Sequence, residues 1–157
     1  MKAQAIFALC MVGIAAPVCA DIQPQSGIWA GSVVYTDDEG CPPRIEQGLA
    51  PALTQGDGYE GQRIDFPDPF SPETFAGDFE WTHVGENHWR AAISKEEPSP
   101  MGTISVALLH NLYVRAIDHL ESTSEYSITF SEGLAAMVGG AGPCILRSTL
   151  DHRRTGD

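Results

Sequence analysis

Two histidines lie close together in the sequence, on either side of a glycine-containing segment. His83 and His88 flank Gly85-Glu86, and a two-residue turn there would pair two strands so that His83 faces His88. Directly opposed residues lie about 5 Å apart, near enough to share a Zn²⁺ or Cu²⁺ ion. A third ligand would come from Glu86 or from the chain before Gly77. The alternative is a pair of exposed hairpin histidines with no bound cofactor, which is the interpretation we adopt.

Six aromatic residues form a second candidate site, for a ligand rather than a metal. Three phenylalanines lie on an irregular stretch, 51–77, and the other three residues lie on alternating segments that would point them inward. The six are Phe66, Phe70, Phe75, Trp81, Trp89 and Tyr126. Aromatic side chains inside a small β-domain either fill it or line a cavity for one small ligand. The stretch 51–77 would cover this site as a packed loop or a lid.

An acidic cluster and the sequence motifs of common enzymes are the other features that could indicate chemistry. Asp37-Asp38-Glu39 offers oxygen ligands for Ca²⁺ but lacks the alternating spacing of a calcium loop, so a solvated turn is expected. The sequence contains no Gly-x-Ser-x-Gly, no His-Glu-x-x-His, no phosphate loop and no dinucleotide fingerprint. The sequence therefore favours a binding protein over an enzyme as the function of this chain, and we assign no catalytic residue.

Alternation of apolar and polar residues predicts the strands that would position these groups. The clearest segment is 125–131, where Tyr126, Ile128 and Phe130 alternate with serine and threonine. The same period of two is typical of half-buried antiparallel strands. It recurs at 27–35, 79–83, 89–93, 103–109, 112–119 and 144–152, and more weakly at 44–49 and 62–66. The pattern predicts an all-β domain of eight or nine antiparallel strands, with a short helix at 132–138 ended by Gly139-Gly140.

The first twenty residues have the composition of a secretory signal peptide. Lys2 gives a positive start, 5–16 is an apolar run too short to span a bilayer, and Val18-Cys19-Ala20 resembles a cleavage site. A lipoprotein signal at Cys19 is the alternative, although valine precedes it where a smaller residue is required. We expect a single mature domain, 21–157, that is periplasmic or secreted.

Two cysteines remain in the expected mature domain, and they predict one disulfide, Cys41–Cys144. Cys41 lies just after the first predicted strand, and Cys144 lies at the start of the last. A bridge requires Cα atoms within about 7 Å, so the first and last strands become antiparallel neighbours. This pairing predicts an antiparallel barrel, with a barrel-like two-sheet sandwich as the alternative.

The start of the first predicted strand resembles a known family. Gly27-Ile28-Trp29 is similar to the Gly-x-Trp of lipocalins and related calycin barrels. In those families the tryptophan plugs the closed end of the barrel, and an arginine of the last strand packs over it. The resemblance implies these structural roles for Trp29 and Arg153. The chain has no Thr-Asp-x-x-Tyr and no helix pattern after the last strand, so the resemblance concerns the fold and not a ligand.

The formal net charge of −12 narrows the range of partners. Such an acidic chain repels nucleic acid and anionic lipid, and no segment after residue 20 is apolar enough to insert into a membrane. We therefore expect a binding protein for an apolar or amphipathic small molecule held under 51–77. The alternative is a protein-interaction module with a packed core, such as a protease inhibitor or an envelope assembly factor.

Overall fold

The computed structural model describes residues 21–43, 58–100, 102–140 and 142–157. In these residues seven strands form one antiparallel sheet. The elements are β1 Gly27–Glu39, β2 Tyr59–Ile64, β3 Thr82–Gly85, β4 His88–Ser99, β5 Gly102–Ala116, β6 His119–Phe130, α1 Glu132–Val138 and β7 Cys144–Gly156. The predicted signal peptide, 1–20, and the weak predicted strand, 44–49, lie outside the described residues. The all-β, antiparallel class is confirmed.

The strand order is β2-β1-β7-β6-β5-β4-β3. The predicted pairing of the first and last strands is confirmed, with Val33 opposite Leu150 and Asp37 opposite Arg147. Closure into a barrel would also require β2 to pair with β3, and the described strands show no such pairing. The sheet is therefore open, and of the two predicted architectures the barrel-like sandwich fits.

Two of the predicted strands, 103–109 and 112–119, are one long strand, β5. Leu108, His110 and Leu112 have the same parity, so the strand runs through His110 without changing the face that its side chains occupy. A turn follows only after Ala116, and β6 then begins at His119, earlier than the predicted segment 125–131. This merger, with 44–49 undescribed, accounts for seven strands where eight or nine were predicted.

The hydrophobic core lies on one face of the sheet, which we call the inner face. Its buried members are Trp29, Ile64, Phe66, Trp89, Leu112, Val114 and Leu120. Six of them come from β1, β2, β4, β5 and β6, and Phe66 comes from residues 65–81, which we call the covering segment. Burial of these side chains from several strands at once supplies most of the favourable free energy of folding.

Aromatic rings of the covering segment connect β1 to β4 across the inner face. Phe66 packs edge-to-face on Trp29 and on Phe70, with ring centroids 5.5 and 5.4 Å apart. Phe70 in turn packs edge-to-face on Trp89 at 5.0 Å. Such pairs are the favoured aromatic geometry. Phe66, Phe70 and Trp89 therefore fill the interior as core residues, in contrast to the prediction that they line a ligand site.

The disulfide and the helix agree with the sequence predictions. Cys41 and Cys144 are bonded, with their Cα atoms 4.2 Å apart. The helix α1 has the predicted bounds, and it ends at Gly139, whose φ of +83° gives the left-handed cap that glycine adopts without steric cost. None of the described helices has the length and the apolar character needed to cross a membrane.

Trp29 is fully buried, as expected, but the arginine assigned to it is not the one beside it. A bulge between Ile28 and Trp29 shifts the register, so that Arg154 lies opposite Trp29. The Arg154 guanidinium donates from Nε to the Ser26 carbonyl oxygen at 2.9 Å. Arg153 is more than half exposed and pairs with Asp151 instead. The register therefore places Arg154, and not the predicted Arg153, opposite Trp29.

Candidate functional site

The structure does not bring His83 and His88 together. The turn is Glu86-Asn87 rather than Gly85-Glu86, and Asn87 takes the positive φ of 55° that this turn needs and that asparagine tolerates. His83 consequently lies opposite Trp89 and pairs through Nε2 with Asp21 Oδ2 at 3.0 Å. His88 instead stacks on the ring of Tyr113, its neighbour on β5, with centroids 4.3 Å apart. The proposed metal pair is therefore wrong.

Three acidic residues, two at the end of β1 and one on β6, surround an arginine. Arg147 on β7 contacts Asp37 Oδ2 at 3.4 Å, Glu39 Oε2 at 3.3 Å and Glu125 Oε2 at 2.9 Å. These carboxylates belong to strands and not to a solvated turn. Within the described ranges, no group of three or more His, Cys, Asp or Glu residues is placed to hold a metal ion.

A cavity of about 310 Å³ lies between the inner face and the covering segment. Its apolar lining is Ile64, Phe75, Ala76, Phe79 and Leu150. Its polar lining is Tyr59, Gln62, Thr74, His110, Ser122, Ser124, Tyr126 and His152. A mixed lining of this kind, with a few polar groups set among aromatic and aliphatic ones, is typical of small-molecule sites.

The predicted aromatic site corresponds to this cavity only in part. Phe75 and Tyr126 line it. Trp81 lies just outside, where its ring contacts His110 at 5.3 Å and its Nε1 donates to the Ala76 carbonyl oxygen at 3.0 Å. Trp81 therefore holds the covering segment in place over the sheet. The other three predicted residues are in the core described above.

His152 lines the cavity and is buried, with 2% of its surface exposed. A hydrogen bond joins its Nε2 to Ser122 Oγ at 2.9 Å. Tyr59 stacks on one side of the ring at 5.8 Å, and Phe75 packs edge-on at 4.7 Å. The imidazole is thus fixed in position, while its Nδ1 has no hydrogen-bond partner among the described residues.

Gly31 makes this arrangement possible. It lies on β1 between Tyr59 of β2 and His152 of β7 in the sheet register. A Cβ at this position would stand 2.5 Å from Tyr59 Cε1 and 2.8 Å from His152 Nδ1. Real Cβ atoms essentially never make contacts below 3.0 Å. Only glycine therefore lets the two rings meet across β1.

His110 is the second histidine of the cavity, and it repeats the pattern. A hydrogen bond of 2.7 Å joins its Nδ1 to Ser124 Oγ on the neighbouring strand β6. Phe79 of the covering segment stacks on the ring in nearly parallel orientation at 5.3 Å. Its Nε2 is buried and has no partner in the described part of the chain. Each imidazole is therefore held by one serine, and its other ring nitrogen is buried without a partner among the described residues.

Burial also determines the charge of these groups. Removal from water lowers the pKa of His152 to about 4, with a smaller opposing effect of the Asp151 carboxylate and further lowering by His110 and His119. Burial likewise lowers the pKa of His110 and raises that of the Tyr59 phenol to about 12. Both imidazoles are therefore neutral, and the phenol is protonated, at neutral pH.

We predict that acid destabilises the protein through His152. Its folded-state pKa of about 4 lies below the unfolded value of about 6.5, so the unfolded chain binds the proton first. The contribution to stability is complete above about pH 6.5 and falls by about 3 kcal/mol as the pH drops to about 4. Urea unfolding of the wild type and of His152→Gln at about pH 7.5 and about pH 4.5 measures this contribution. The variant should lose most of the pH dependence that comes from His152.

Carboxylates also titrate in that range, so the comparison between wild type and variant is the informative quantity. An NMR titration of the His152 ring in the wild type gives the same information without a variant. A measured pKa near 6.5 for this ring, or equal pH dependence of the two proteins, would contradict the prediction.

The sequence patterns did not point to Tyr59, His110 or His152. One signal was available, because His152 has the same parity as Leu146 and Leu150, which the alternation already placed on the inner face. The pairing of each histidine with a serine depends on the strand register, which the alternation alone does not define.

Chemically, the described residues of the site can pack against a bound molecule and hydrogen-bond to it. The Ser122–His152 pair resembles a nucleophile and its base, yet no carboxylate of the described residues holds Nδ1 of that histidine, and this third group orients the base in catalytic triads. Neutral imidazoles and hydroxyls instead suit the recognition of a polar, uncharged group. Comparison with protein-family models, with curated proteins and with solved structures finds no match to this chain.

Proposed function

We propose that this chain is an exported binding protein that holds one small amphipathic molecule between the inner face and the covering segment. The observation that carries the proposal is the cavity of about 310 Å³ itself, where aromatic and aliphatic side chains lie beside hydroxyl, amide and imidazole groups. The few polar groups of such a lining would hydrogen-bond the polar part of a bound molecule. The apolar lining would hold the rest of the molecule.

The alternative, a protein-interaction module with a packed core, has less support. A packed module needs no cavity beneath its loops, whereas a partly open cavity of about 310 Å³ lies between the inner face and the covering segment of this protein. Among the residues that the structure describes, the exposed large apolar side chains lie on five different segments, which argues against one docking patch there. They are Val34, Val84, Ile93, Ile117 and Met137.

Export and ancestry are part of the same proposal. The disulfide and the signal-like composition of residues 1–20 support a periplasmic or secreted location. A relationship to lipocalins and other calycins is supported by Gly27-Ile28-Trp29 and by the burial of Trp29. The acidic charge supports a partner other than nucleic acid.

Native mass spectrometry of the protein purified from its own compartment tests the binding function. We expect an added mass that is present in the folded protein and is lost on denaturation. A bare mass in both states would contradict the proposal.

A pair of alanine-to-phenylalanine variants locates the bound molecule. Ala76→Phe places a ring in the cavity and should abolish the added mass. Ala136→Phe is the matched control, because Ala136 lines an open surface concavity beside α1 instead. Retention of the added mass by Ala76→Phe, or its loss from both variants, would contradict this location.

We also predict that Tyr59→Phe stabilises the protein after its bound molecule has been stripped by unfolding and refolding. The Tyr59 hydroxyl is buried without a partner among the described residues, and such a group costs about 1–3 kcal/mol in the folded state. Its removal should raise the free energy of urea unfolding by about 1 kcal/mol. Tyr113→Phe, on the opposite face of the sheet, should change it by less than about 0.5 kcal/mol. A clear loss of stability in Tyr59→Phe would show that the hydroxyl is bonded.

A further inference from the structure

Residues 21–26, which we call the N-terminal strap, precede the first strand and belong to no strand themselves. Pro24 is nevertheless fully buried, and Ile22 packs against the hydrophobic core. The Gln25 backbone N–H donates to the Ile117 carbonyl oxygen at 2.7 Å, just beyond the end of β5. The strap is therefore a packed part of the fold and not a loose leader.

The strap holds the beginning of the covering segment. Ser26 Oγ accepts a hydrogen bond of 2.9 Å from the backbone N–H of Phe66. Gln23 Nε2 donates to the carbonyl oxygen of Pro67 at 2.8 Å. Two side chains of the strap thus bind two successive residues of the covering segment.

The strap also holds the strand into which the covering segment continues, β3. Asp21 Oδ1 accepts from the Asn87 backbone N–H at 2.6 Å, and its Oδ2 lies 3.0 Å from Nε2 of His83 on β3. Asn87 Oδ1 accepts in return from the Ile22 backbone N–H at 2.5 Å. The Asn87 carbonyl oxygen accepts from Val114 of β5 at 2.9 Å. The Asp21 carboxylate therefore ties the edge strand β3 to a turn that is fixed to the sheet.

The covering segment depends on these attachments because its other contacts with the sheet are between side chains. Within the described ranges, no backbone hydrogen bond joins residues 65–81 to a strand. Ring contacts such as Phe79 on His110 and Phe75 on His152 hold it against the inner face. Ring contacts are individually weak, whereas the strap binds near both ends of the segment.

The two ends are held unequally. Phe66 and Pro24 are buried at the first end. At the second end, β3 has four exposed residues and pairs with β4 alone, and the side chains of His83 and Asp21 are 50% and 31% exposed. Exposed contacts at an edge open at a lower free-energy cost than core contacts. The covering segment should therefore open from the β3 end.

Resting on the binding function proposed above, we propose that the N-terminal strap is a latch for the covering segment, with Asp21 as its releasable end. When Asp21 leaves Asn87 and His83, the β3 end of the segment moves away from the sheet. Phe79 then separates from His110, and the partly open cavity opens more widely. The latch thereby regulates access to the binding site.

Hydrogen exchange followed by mass spectrometry measures this opening on the full chain purified from its own compartment. In Asp21→Ala, the amides of 70–85 should exchange about fivefold faster than in the wild type, because the carboxylate and its hydrogen bonds are lost. The amides of β6 should be unchanged. Asp37→Ala is the matched control, since Asp37 pairs with Arg147 at the cysteine end of β1, and it should leave both regions as in the wild type.

A second variant tests whether the effect passes through His83. His83→Phe keeps a ring beside Trp89, which His83 contacts at 5.1 Å, but it removes the polar contact with Asp21. Exchange of 70–85 should rise about threefold. The double variant Asp21→Ala with His83→Phe should exchange no faster than Asp21→Ala alone, because the two residues form one contact.

Diethyl pyrocarbonate, which acylates accessible imidazole nitrogens, tests whether the cavity widens. His110 Nε2 is buried in the closed arrangement, so its modification requires the covering segment to move. Its rate should rise about fivefold in Asp21→Ala, in proportion to the hydrogen exchange. His119 lies on the opposite face of the sheet, since its neighbour Leu120 is in the core, and its rate should be unchanged.

Unchanged exchange of 70–85 in both single variants would overturn the latch. An equal acceleration in β6 would overturn it as well, because it would indicate unfolding of the whole domain. Additive effects in the double variant, or unchanged modification of His110, would contradict the release at Asp21. None of these measurements requires a bound molecule. A bare native mass would therefore refute the binding function while faster exchange of 70–85 would still support the latch.

Discussion

Replacement of Trp29 by alanine is expected to lower the free energy of unfolding by about 3–5 kcal/mol. Trp29 is fully buried, its ring packs edge-to-face on Phe66 at 5.5 Å, and its Nε1 donates to the Gln25 carbonyl oxygen at 3.1 Å. Alanine removes the apolar surface, leaves a cavity in the core and leaves that carbonyl without its partner. Since domains of this size are stable by only about 5–15 kcal/mol, the loss would be a large fraction of the total.

Two further substitutions separate the contributions of the indole. Trp29→Phe keeps a ring against Phe66 but removes the Nε1 donor, so it should lose about 1–2 kcal/mol. Val34→Ala, at an exposed position of the same strand, should change stability by less than about 0.5 kcal/mol. Urea unfolding followed by circular dichroism measures all three variants. A loss below about 1 kcal/mol in Trp29→Ala would show that the core does not depend on this residue.

The parts of the fold that depend on local alternation could be predicted from the sequence. On β7, for example, Leu146 and Leu150 are buried and Arg147 is not, because a strand presents alternate side chains to opposite faces wherever it runs. The cysteine pair then identified β1 and β7 as neighbours, because a disulfide restricts the Cα separation. These two inferences needed only short-range geometry and one long-range constraint.

Closure of the sheet could not be predicted in the same way. It depends on whether β2 meets β3, and the covering segment between them has no period that defines its path. Phe66 and Phe70 are apolar residues on an irregular segment. Apolar side chains there are equally compatible with covering a ligand and with packing in the core. Their contacts with Trp29 and Trp89 decide for the core, and these contacts are properties of the folded chain.

The sequence did not predict the histidines of the cavity, and the reason is a different one. His110 lies between 103–109 and 112–119, which the alternation predicts as separate strands, so the pattern does not place it on the inner face. At the β3–β4 hairpin, a turn placed one residue too early made His83 face His88, whereas the true register sets it opposite Trp89. A shift of one residue exchanges the faces of a strand, and errors of this size decide which side chains meet.

Removal of the disulfide, by replacement of both Cys41 and Cys144 with alanine, is expected to lower the free energy of unfolding by about 2–5 kcal/mol. The bond joins residues 103 positions apart, and the chain-entropy model assigns about 4.7 kcal/mol to a loop of about 100 residues. β1 and β7 are hydrogen-bonded neighbours in the native sheet, so the link restricts mainly the unfolded chain. Chemical denaturation of the double variant measures the loss, and reduced wild-type protein should show the same value.

The disulfide and Trp29 act on different states of the chain and at opposite ends of β1. Trp29 stabilises the native core, and about ten residues of extended strand, roughly 33 Å, separate it from the cysteine end. Their effects should therefore add to within about 0.5 kcal/mol when the double cysteine variant is combined with Trp29→Phe. A loss of stability well below about 1 kcal/mol in the double cysteine variant would contradict the view that the bond acts through the unfolded state.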